Sequence, residues 1–251
     1  MDPTMMYMII SLFVVFIMIL GIVFLRNRLV PLFRLWYIVM VYGKFSFEFL
    51  EFFKENNLRN PHNNCIRDEI TLHFSVFFKL LKNAVSYQTE TLLEYGNSPF
   101  LSNYKSLVKR KGNPECINVA RFGESKVKVV GYNEMLSGFK MKSLYYFVDE
   151  KLTLGEYIFA ELQQIDPSQI IRSISSKYLN NIQLDADCFY ITDPLGNKLN
   201  YEHNGFSINI RYLFLGNEQI NEVLGYLFSN ENPIIRGFGK TLKDEELLNR
   251  F

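Results

Sequence analysis

Residues that build most active sites are scarce in this sequence. Its 251 residues include three histidines, three cysteines and one tryptophan. Cys65, Cys116 and Cys188 are widely spaced and odd in number, which predicts no disulfide framework and indicates a reducing compartment. Charge of one sign is not in excess either, since the chain has 27 basic and 26 acidic side chains. That balance excludes the strong basic field of a dedicated nucleic-acid-binding protein, so we expect no nucleic-acid partner.

Motifs of catalysis and metal binding are also missing. The sequence contains no G-x-S-x-G, H-E-x-x-H or C-x-x-C pattern. His62 and Cys65 have the spacing of two zinc ligands, but no second pair lies nearby. Gly239-Lys240-Thr241 lacks the earlier glycine and the long following helix of a phosphate-binding loop. The sequence therefore predicts no catalytic residue, no metal site and no cofactor, and it favours a protein that is not an enzyme.

One long apolar run is present at the start of the chain. Residues 5–25, MMYMIISLFVVFIMILGIVFL, contain no charged side chain. A helix of this length reaches about 31 Å, which matches the hydrocarbon core of a bilayer. The competing interpretation is a cleaved signal peptide, which has a basic start and a shorter apolar stretch. We therefore expect a retained, single-pass membrane anchor and a lipid bilayer as one partner.

The charges that flank this run predict an orientation. Four basic residues and no acidic one follow the run: Arg26, Arg28, Arg34 and Lys44. Before the run the only charged side chain is that of Asp2. Because Lys and Arg accumulate on the cytoplasmic side, we expect the N-terminus outside and the C-terminal domain in the cytoplasm, at the inner membrane if the source is bacterial.

A second apolar segment, residues 29–42, is shorter and contains Pro31 and Arg34. Trp36, Tyr37 and Tyr42 are side chains that prefer the headgroup region. The segment is predicted to be a helix that leaves the membrane and lies in or near its interface. The alternative is a second span within residues 29–50, which would return the rest of the chain to the side of the N-terminus.

The chain up to residue 95 has helical patterns. Residues 45–56 are rich in phenylalanine, and residues 67–95 carry an apolar stripe at helical spacing. The phenylalanine-rich helix has apolar side chains on more than one face, so it is the better candidate for contact with a partner protein. Its candidate contact residues are Phe45, Phe49, Phe52 and Phe53.

The next segment, residues 96–118, is predicted to be a polar loop. It contains three consecutive basic residues, Lys109, Arg110 and Lys111. Such a cluster beside a membrane can bind anionic lipid headgroups, each charge contributing about 1 kcal/mol. A solvated loop tip is the simpler interpretation, and the sequence favours it.

The second half changes to strand-like alternation. Residues 126–132 and 139–149 suggest one hairpin. Thr153 and Glu156 form a capping-box pattern that predicts a helix over residues 154–164. Further elements are predicted in the order helix 167–179, strands 187–192, 198–203 and 206–214, and helix 218–229. The two hairpin-plus-helix units, 126–164 and 187–229, suggest a weak internal duplication.

Together these patterns predict an α+β fold in which juxtamembrane helices precede an antiparallel sheet with helices packed on one face. Four regions are expected. They are the membrane anchor at 1–28, the juxtamembrane helical region at 29–95, the basic loop at 96–118 and the cytoplasmic α+β domain at 119–251.

Two functions from different classes fit this organisation. In the first, the protein is a membrane-anchored structural or adaptor subunit that presents its α+β domain to a larger assembly, of other proteins or of its own copies. In the second, it is a membrane-tethered enzyme or ligand sensor with a pocket near Cys188, Tyr201 and His203. A third, less supported role is lipid binding or membrane disruption. The anchor, the phenylalanine-rich helix and the missing catalytic motifs favour the first.

Overall fold

The computed structural model describes residues 3–62, 64–66, 84–122, 124–136, 138–160, 166–184 and 187–215. The chain divides into two compact units, an N-terminal unit, Met1–Asn60, and a sheet unit, Pro61–Phe251. The predicted helix 218–229, and most of the helix predicted over 67–95, lie outside the described residues.

The N-terminal unit is built around one uninterrupted helix. Helix α1, Pro3–Phe24, continues through a π-helical segment, Leu25–Leu29, into α2, Val30–Val41. The backbone at the junctions keeps right-handed helical dihedral angles, so no turn separates the two apolar segments. The structure therefore gives no support to a second span that returns through the membrane.

A short turn after α2 leads into α3, Phe47–Glu55, which packs against α2. Ser46 starts α3, because its hydroxyl accepts a hydrogen bond from the backbone N–H of Phe49 at 3.0 Å. Arg34 of α2 forms an ion pair with Glu55 at 3.1 Å. These contacts turn the chain back along the end of the long helix.

The sheet unit contains one eight-stranded sheet with the spatial order β1-β6-β7-β8-β5-β4-β3-β2. All neighbouring strands are antiparallel except β1 and β6, which are parallel. The strands are β1 Val85–Gln88, β2 Cys116–Phe122, β3 Ser125–Leu136, β4 Phe139–Val148, β5 Lys151–Phe159, β6 Cys188–Thr192, β7 Lys198–His203 and β8 Ile208–Leu213. Two helices of this unit are described, α4 Tyr104–Lys111 and α5 Pro167–Tyr178. A mixed α+β fold is therefore confirmed.

Several predicted elements are confirmed. The hairpin of β3 and β4 is present, although β3 continues to Leu136, beyond its predicted end. The three strands β6, β7 and β8 and the helix α5 also lie close to their predicted bounds. The turn between β6 and β7 forms because the Asp193 carboxylate accepts hydrogen bonds from the backbone N–H groups of Leu195 and Asn197, both at 2.9 Å.

The helix predicted over residues 154–164 is wrong in its described part, since Lys151–Phe159 form the central strand β5; residues 161–164 lie outside the described residues. This strand pairs with β4 on one side and with β8 on the other. A central strand is buried on both faces, so it does not show the polar–apolar alternation that would have revealed it. The proposed duplication of hairpin-plus-helix units is lost with this helix.

Two further boundaries are corrected. The end of the helix predicted over 67–95 is instead the edge strand β1 followed by irregular chain. The loop predicted over 96–118 contains α4 and the first residues of β2. The Asn103 side chain caps α4 by accepting the Ser106 N–H at 2.8 Å.

The expectation of unpaired cysteines is also wrong, because Cys65 and Cys116 form a disulfide. Their Cα atoms lie 4.9 Å apart although 51 residues separate them along the chain. Spacing alone does not reveal such a pair, because the fold brings the two cysteines together. The side chain of Asn118 and the ammonium group of Lys142 hold the backbone at Cys65, the latter by a 2.6 Å bond to the Cys65 carbonyl. A Cβ on Gly131 would overlap the Cys116 sulfur, so glycine leaves room for the bridge.

The two faces of the sheet are packed differently. One face, the disulfide face, has a core that includes Cys65, Cys116, Val129, Leu144, Leu154 and Leu213. The other, the tyrosine face, includes a cluster of tyrosine rings around the fully buried Tyr95. Both described helices of the unit lie on the tyrosine face. Tyr104 of α4 contacts Phe147, and Tyr178 of α5 lines the same groove as Tyr212.

Tyr95 depends on a glycine in the middle of β5. Its ring lies directly on Gly155, where any Cβ would overlap the ring carbons. The Tyr95 hydroxyl donates a 2.7 Å hydrogen bond to the Glu156 carbonyl, and its ring centroid lies 4.5 Å from that of Tyr157 and 4.7 Å from that of Tyr145. The missing side chain of Gly155 therefore leaves the space in which the Tyr95 ring packs against β5.

We predict that Gly155→Ala lowers the free energy of unfolding by about 2–3 kcal/mol, because the new methyl group has no room beneath a fully buried ring. Chemical denaturation of the full chain in detergent measures the change. Gly21→Ala is the matched control, since nothing lies within 4 Å of a Cβ at that position. In a Tyr95→Ala background the cost of Gly155→Ala should disappear, and an undiminished cost would contradict the proposed overlap.

Candidate functional site

The N-terminal helix is long and apolar enough to cross a membrane. Its apolar segment, Met5–Phe24, has 20 residues, and none of its most apolar stretch is buried within the protein. No other helix in the described ranges reaches this length and hydropathy. A signal sequence near an N-terminus can also meet these limits of length and hydropathy. The helix thus has the dimensions of a membrane span.

Helix α2 has two different faces. On one face, Ile38 is 6% exposed, and Arg34 lies 5.7 Å above the ring of Phe52 while it pairs with Glu55. On the opposite face, four large apolar side chains at helical spacing are exposed. We name them the α2 stripe: Phe33 (68% exposed), Trp36 (64%), Tyr37 (56%) and Met40 (68%).

The structure divides the aromatic residues singled out from the sequence. Trp36, Tyr37 and Tyr42 are exposed. Of the candidate partner contacts, Phe45 and Phe53 are partly exposed.

The other two candidate contacts are buried. Phe49 and Phe52 lie in the interior and pack their rings against Phe53, with centroids at 5.0 and 6.0 Å. The exposed aromatic surface is therefore on α2 rather than α3. Sequence reasoning missed Phe33 and Met40, although their spacing from Trp36 and Tyr37 carries the signal.

The basic residues are also divided. Arg26 and Lys44 are exposed, Arg34 is paired with Glu55, and the side chain of Arg28 lies outside the described residues.

The cluster Lys109, Arg110 and Lys111 forms the last turn of α4. Arg110 donates to the Asn97 carbonyl at 2.8 Å, and Lys111 pairs with Glu134. Two of these three cations thus bind their own domain, and Lys109 remains exposed.

Cys188 and His203 are not brought together. Cys188 pairs with Glu202 across the β6–β7 ladder, so His203, the next residue, points to the other face of the sheet. On its face, Cys188 lies 3.8 Å from the side-chain nitrogen of Asn200, and burial raises the pKa of its thiol. His203 lies 3.5 Å from the Asp187 carboxylate. The arrangement has no nucleophile–base pair at these residues.

A buried charged cluster, which sequence reasoning missed, lies on the disulfide face. Arg211 of β8 is 6% exposed and donates at 2.7 Å both to Glu156 of β5 and to Glu202 of β7. It also donates to the Asn200 side chain at 3.2 Å, while the Tyr146 hydroxyl donates to Glu156 at 3.2 Å. Burial opposes the charge on Arg211, but Glu156 and Glu202 outweigh it and raise its pKa. The polar side chains that alternate over residues 207–211 carry the signal in the sequence.

The buried cluster joins strands rather than opening to solvent. Glu156, Arg211 and Asn200 are directly paired across β5, β8 and β7, so the ion pairs span three neighbouring strands. A buried ion pair contributes little net stability but penalises any register that separates its charges. The cluster therefore selects the strand register.

Lys198 lies on the same face, two residues before Asn200. Its side chain is almost completely buried, and its ammonium group lies 4.5 Å from the ring centroid of Tyr190. Burial lowers the pKa of Lys198 to about 8. Proton loss from this one lysine thus begins near neutral pH.

Comparisons with known proteins give no relative. The chain matches no protein-family model, no curated protein and no solved structure. Over the described ranges, no group of three or more His, Cys, Asp or Glu side chains is arranged to hold a metal ion. One half of the metal-ligand pair considered from the sequence, Cys65, is engaged in the disulfide.

We predict that Lys198 contributes a positive slope to the free energy of unfolding between about pH 8 and 10.5. Because the folded-state pKa of Lys198 is lowered from 10.5 to about 8, the unfolded chain binds more protons at this lysine in this window. Buried tyrosines such as Tyr95 and Tyr146 contribute the opposite slope, because burial raises their pKa and the folded chain retains their protons.

Denaturation of the wild type and of Lys198→Met at pH 8 to 9.5 isolates the contribution of Lys198, since the slope should be more positive in the wild type. Lys105→Met, at an exposed position of α4, is the control that keeps the slope. An equal slope in Lys198→Met would contradict the prediction.

Proposed function

We propose that this protein is a membrane-anchored structural or adaptor subunit, which holds its α+β sheet unit at a membrane and contacts other proteins through its N-terminal unit. The observation that carries the proposal is the continuity of the helix from Pro3 to Val41, because its membrane-long segment runs directly into a helix with an exposed aromatic stripe.

The length of the helix supports a protein contact beyond the bilayer. From Pro3 to Val41 it measures about 55–60 Å, roughly twice the hydrocarbon thickness. If Met5–Phe24 spans the core, Phe33 lies roughly 13 Å and Met40 roughly 24 Å further along the axis. The headgroup layer adds only about 5–8 Å on each side. Most of the α2 stripe therefore lies beyond the lipid and needs another apolar surface to cover it.

The proposed enzyme or ligand-sensor function gains no comparable support. Its candidate residues Cys188 and His203 lie on opposite faces of the sheet. The charged groups near Cys188 belong to the buried Arg211 cluster, in which Arg211 is paired with Glu156 and Glu202. The adaptor proposal is the one that the exposed side chains favour.

The side of the membrane is argued from the disulfide. Bridges such as Cys65–Cys116 persist in oxidising compartments and are rare where thiols are kept reduced. The basic residues after α1 predict the opposite orientation, but the excess of Lys and Arg is a bias rather than a constraint on each chain. We propose that the sheet unit lies on the oxidising side, with the N-terminus in the cytoplasm.

We predict that the natively expressed chain resists extraction from membranes by alkaline carbonate and that its purified mass includes residues 1–25. The uncharged helix binds the hydrocarbon core too strongly for carbonate to release it. Deletion of residues 3–24 should move the protein to the soluble fraction. A mature chain that begins after residue 25 and is soluble would identify a cleaved signal sequence and overturn the anchor.

For the orientation, we expect a C-terminal tag to resist protease added from the cytoplasmic side of sealed membranes. In a Cys188→Ser background, Cys65 and Cys116 should react with a maleimide only after reduction and unfolding, since both are buried and bonded to each other. A second tag at the N-terminus should be digested under the same conditions, because the proposed orientation places it in the cytoplasm. Digestion of the C-terminal tag from the cytoplasmic side would restore the orientation predicted from the flanking charges.

A further inference from the structure

The α2 stripe is an apolar surface that carries no charge of its own. Between residues 29 and 43 the only charged side chain is Arg34, which lies on the other face of α2 and pairs with Glu55. Phe33, Trp36, Tyr37 and Met40 therefore form an uninterrupted apolar strip about two turns long. Trp and Tyr are the residue types that contribute most to binding at protein interfaces.

We propose that the α2 stripe is the contact between two copies of this chain anchored in the same membrane. The proposal rests on the membrane anchor proposed above. Copies inserted through the same α1 have parallel helices, and each stripe lies at the same height above the bilayer. A two-fold axis along the membrane normal then brings stripe against stripe, so that each side chain meets its own counterpart or a neighbour.

Charge favours this occupant. Two identical surfaces can meet only if they do not bring like charges together, and the stripe meets that condition because Arg34 is held on the opposite face by Glu55. The exposed Arg26 lies at the membrane end, where lipid headgroups surround it and screen it from its counterpart. A self-contact over the stripe therefore carries no repulsion of its own.

The area of the stripe sets the strength of the contact. Four large side chains that are more than half exposed offer about 100 Å² each, or roughly 800 Å² over two copies, which is below the size of a standard stable interface. Anchoring confines both copies to one surface and aligns them, which raises their effective concentration. The pair should therefore form in the membrane and not between copies that lack α1.

The experiment is disulfide crosslinking of the full chain in its native membranes. In a Cys188→Ser background, single cysteines are introduced on the stripe, as Tyr37→Cys or Met40→Cys. Matched controls are Leu32→Cys and Val41→Cys, which are 60% and 54% exposed but lie about a quarter turn from the centre of the stripe. Copper phenanthroline oxidises the membranes, and non-reducing gels measure the fraction at twice the chain mass.

We expect several-fold more dimer from the two stripe positions than from the two controls, and loss of that dimer when Trp36→Glu is added to Met40→Cys. Equal crosslinking at all four positions, or none at the stripe, overturns the proposal. A stripe crosslink of a mass other than twice the chain also overturns it, since the occupant is then a different protein. Carbonate extraction of each variant separates the two proposals. A chain that stays in the membrane without stripe crosslinks overturns the contact between copies and leaves the membrane anchor standing.

Discussion

One uninterrupted helix from Pro3 to Val41 determines how far each of its side chains would lie from the proposed membrane. A helix cannot bury more than about 30 Å of its length in hydrocarbon, so its remaining turns must find other surroundings. One face of α2 packs against α3, where Ile38 is buried and Arg34 pairs with Glu55. Within the part of the chain that the structure describes, the opposite face has no such cover, and the side chains of the α2 stripe are exposed. The exposure of the α2 stripe thus follows from the length of the helix and from where α3 packs.

The sheet unit meets a different constraint, because its central strands are buried on both faces. On the tyrosine face the problem is steric, and Gly155 solves it by leaving room for the Tyr95 ring. On the disulfide face it is electrostatic, since Arg211 loses its hydrogen bonds to water on burial. Hydrogen bonds to Glu156, Glu202 and Asn200 replace them. Both solutions involve β5, which carries Gly155 and Glu156 as neighbours. The middle of this strand therefore fixes the packing of one face and the register of the other.

The sequence predicted the elements whose information is local. Turn residues and alternation identified the β6–β8 strands, and Asp166 with Pro167 marked the start of α5, where Asp166 accepts the Ser168 N–H at 3.0 Å. A helix is predicted at β5 because Thr153 and Glu156 match a capping box. The prediction fails because both residues have other roles in the sheet. Thr153 donates to the Tyr146 carbonyl and Glu156 pairs with Arg211. The disulfide and the exposed α2 stripe depend on which distant segments meet, and spacing along the chain does not contain that information.

The two units also differ in how they treat apolar surface. In the described part of the sheet unit, exposed large apolar side chains such as Val85, Leu195 and Phe206 lie on separate elements or turns. Single exposed residues of this kind are common on soluble surfaces and indicate no partner. In the N-terminal unit the exposed apolar side chains lie on one helix, along α1 and again along the α2 stripe, with the exposed Arg26 between them. Exposed apolar surface costs free energy in water, and the proposed associations with lipid along α1 and with protein along α2 would remove that cost.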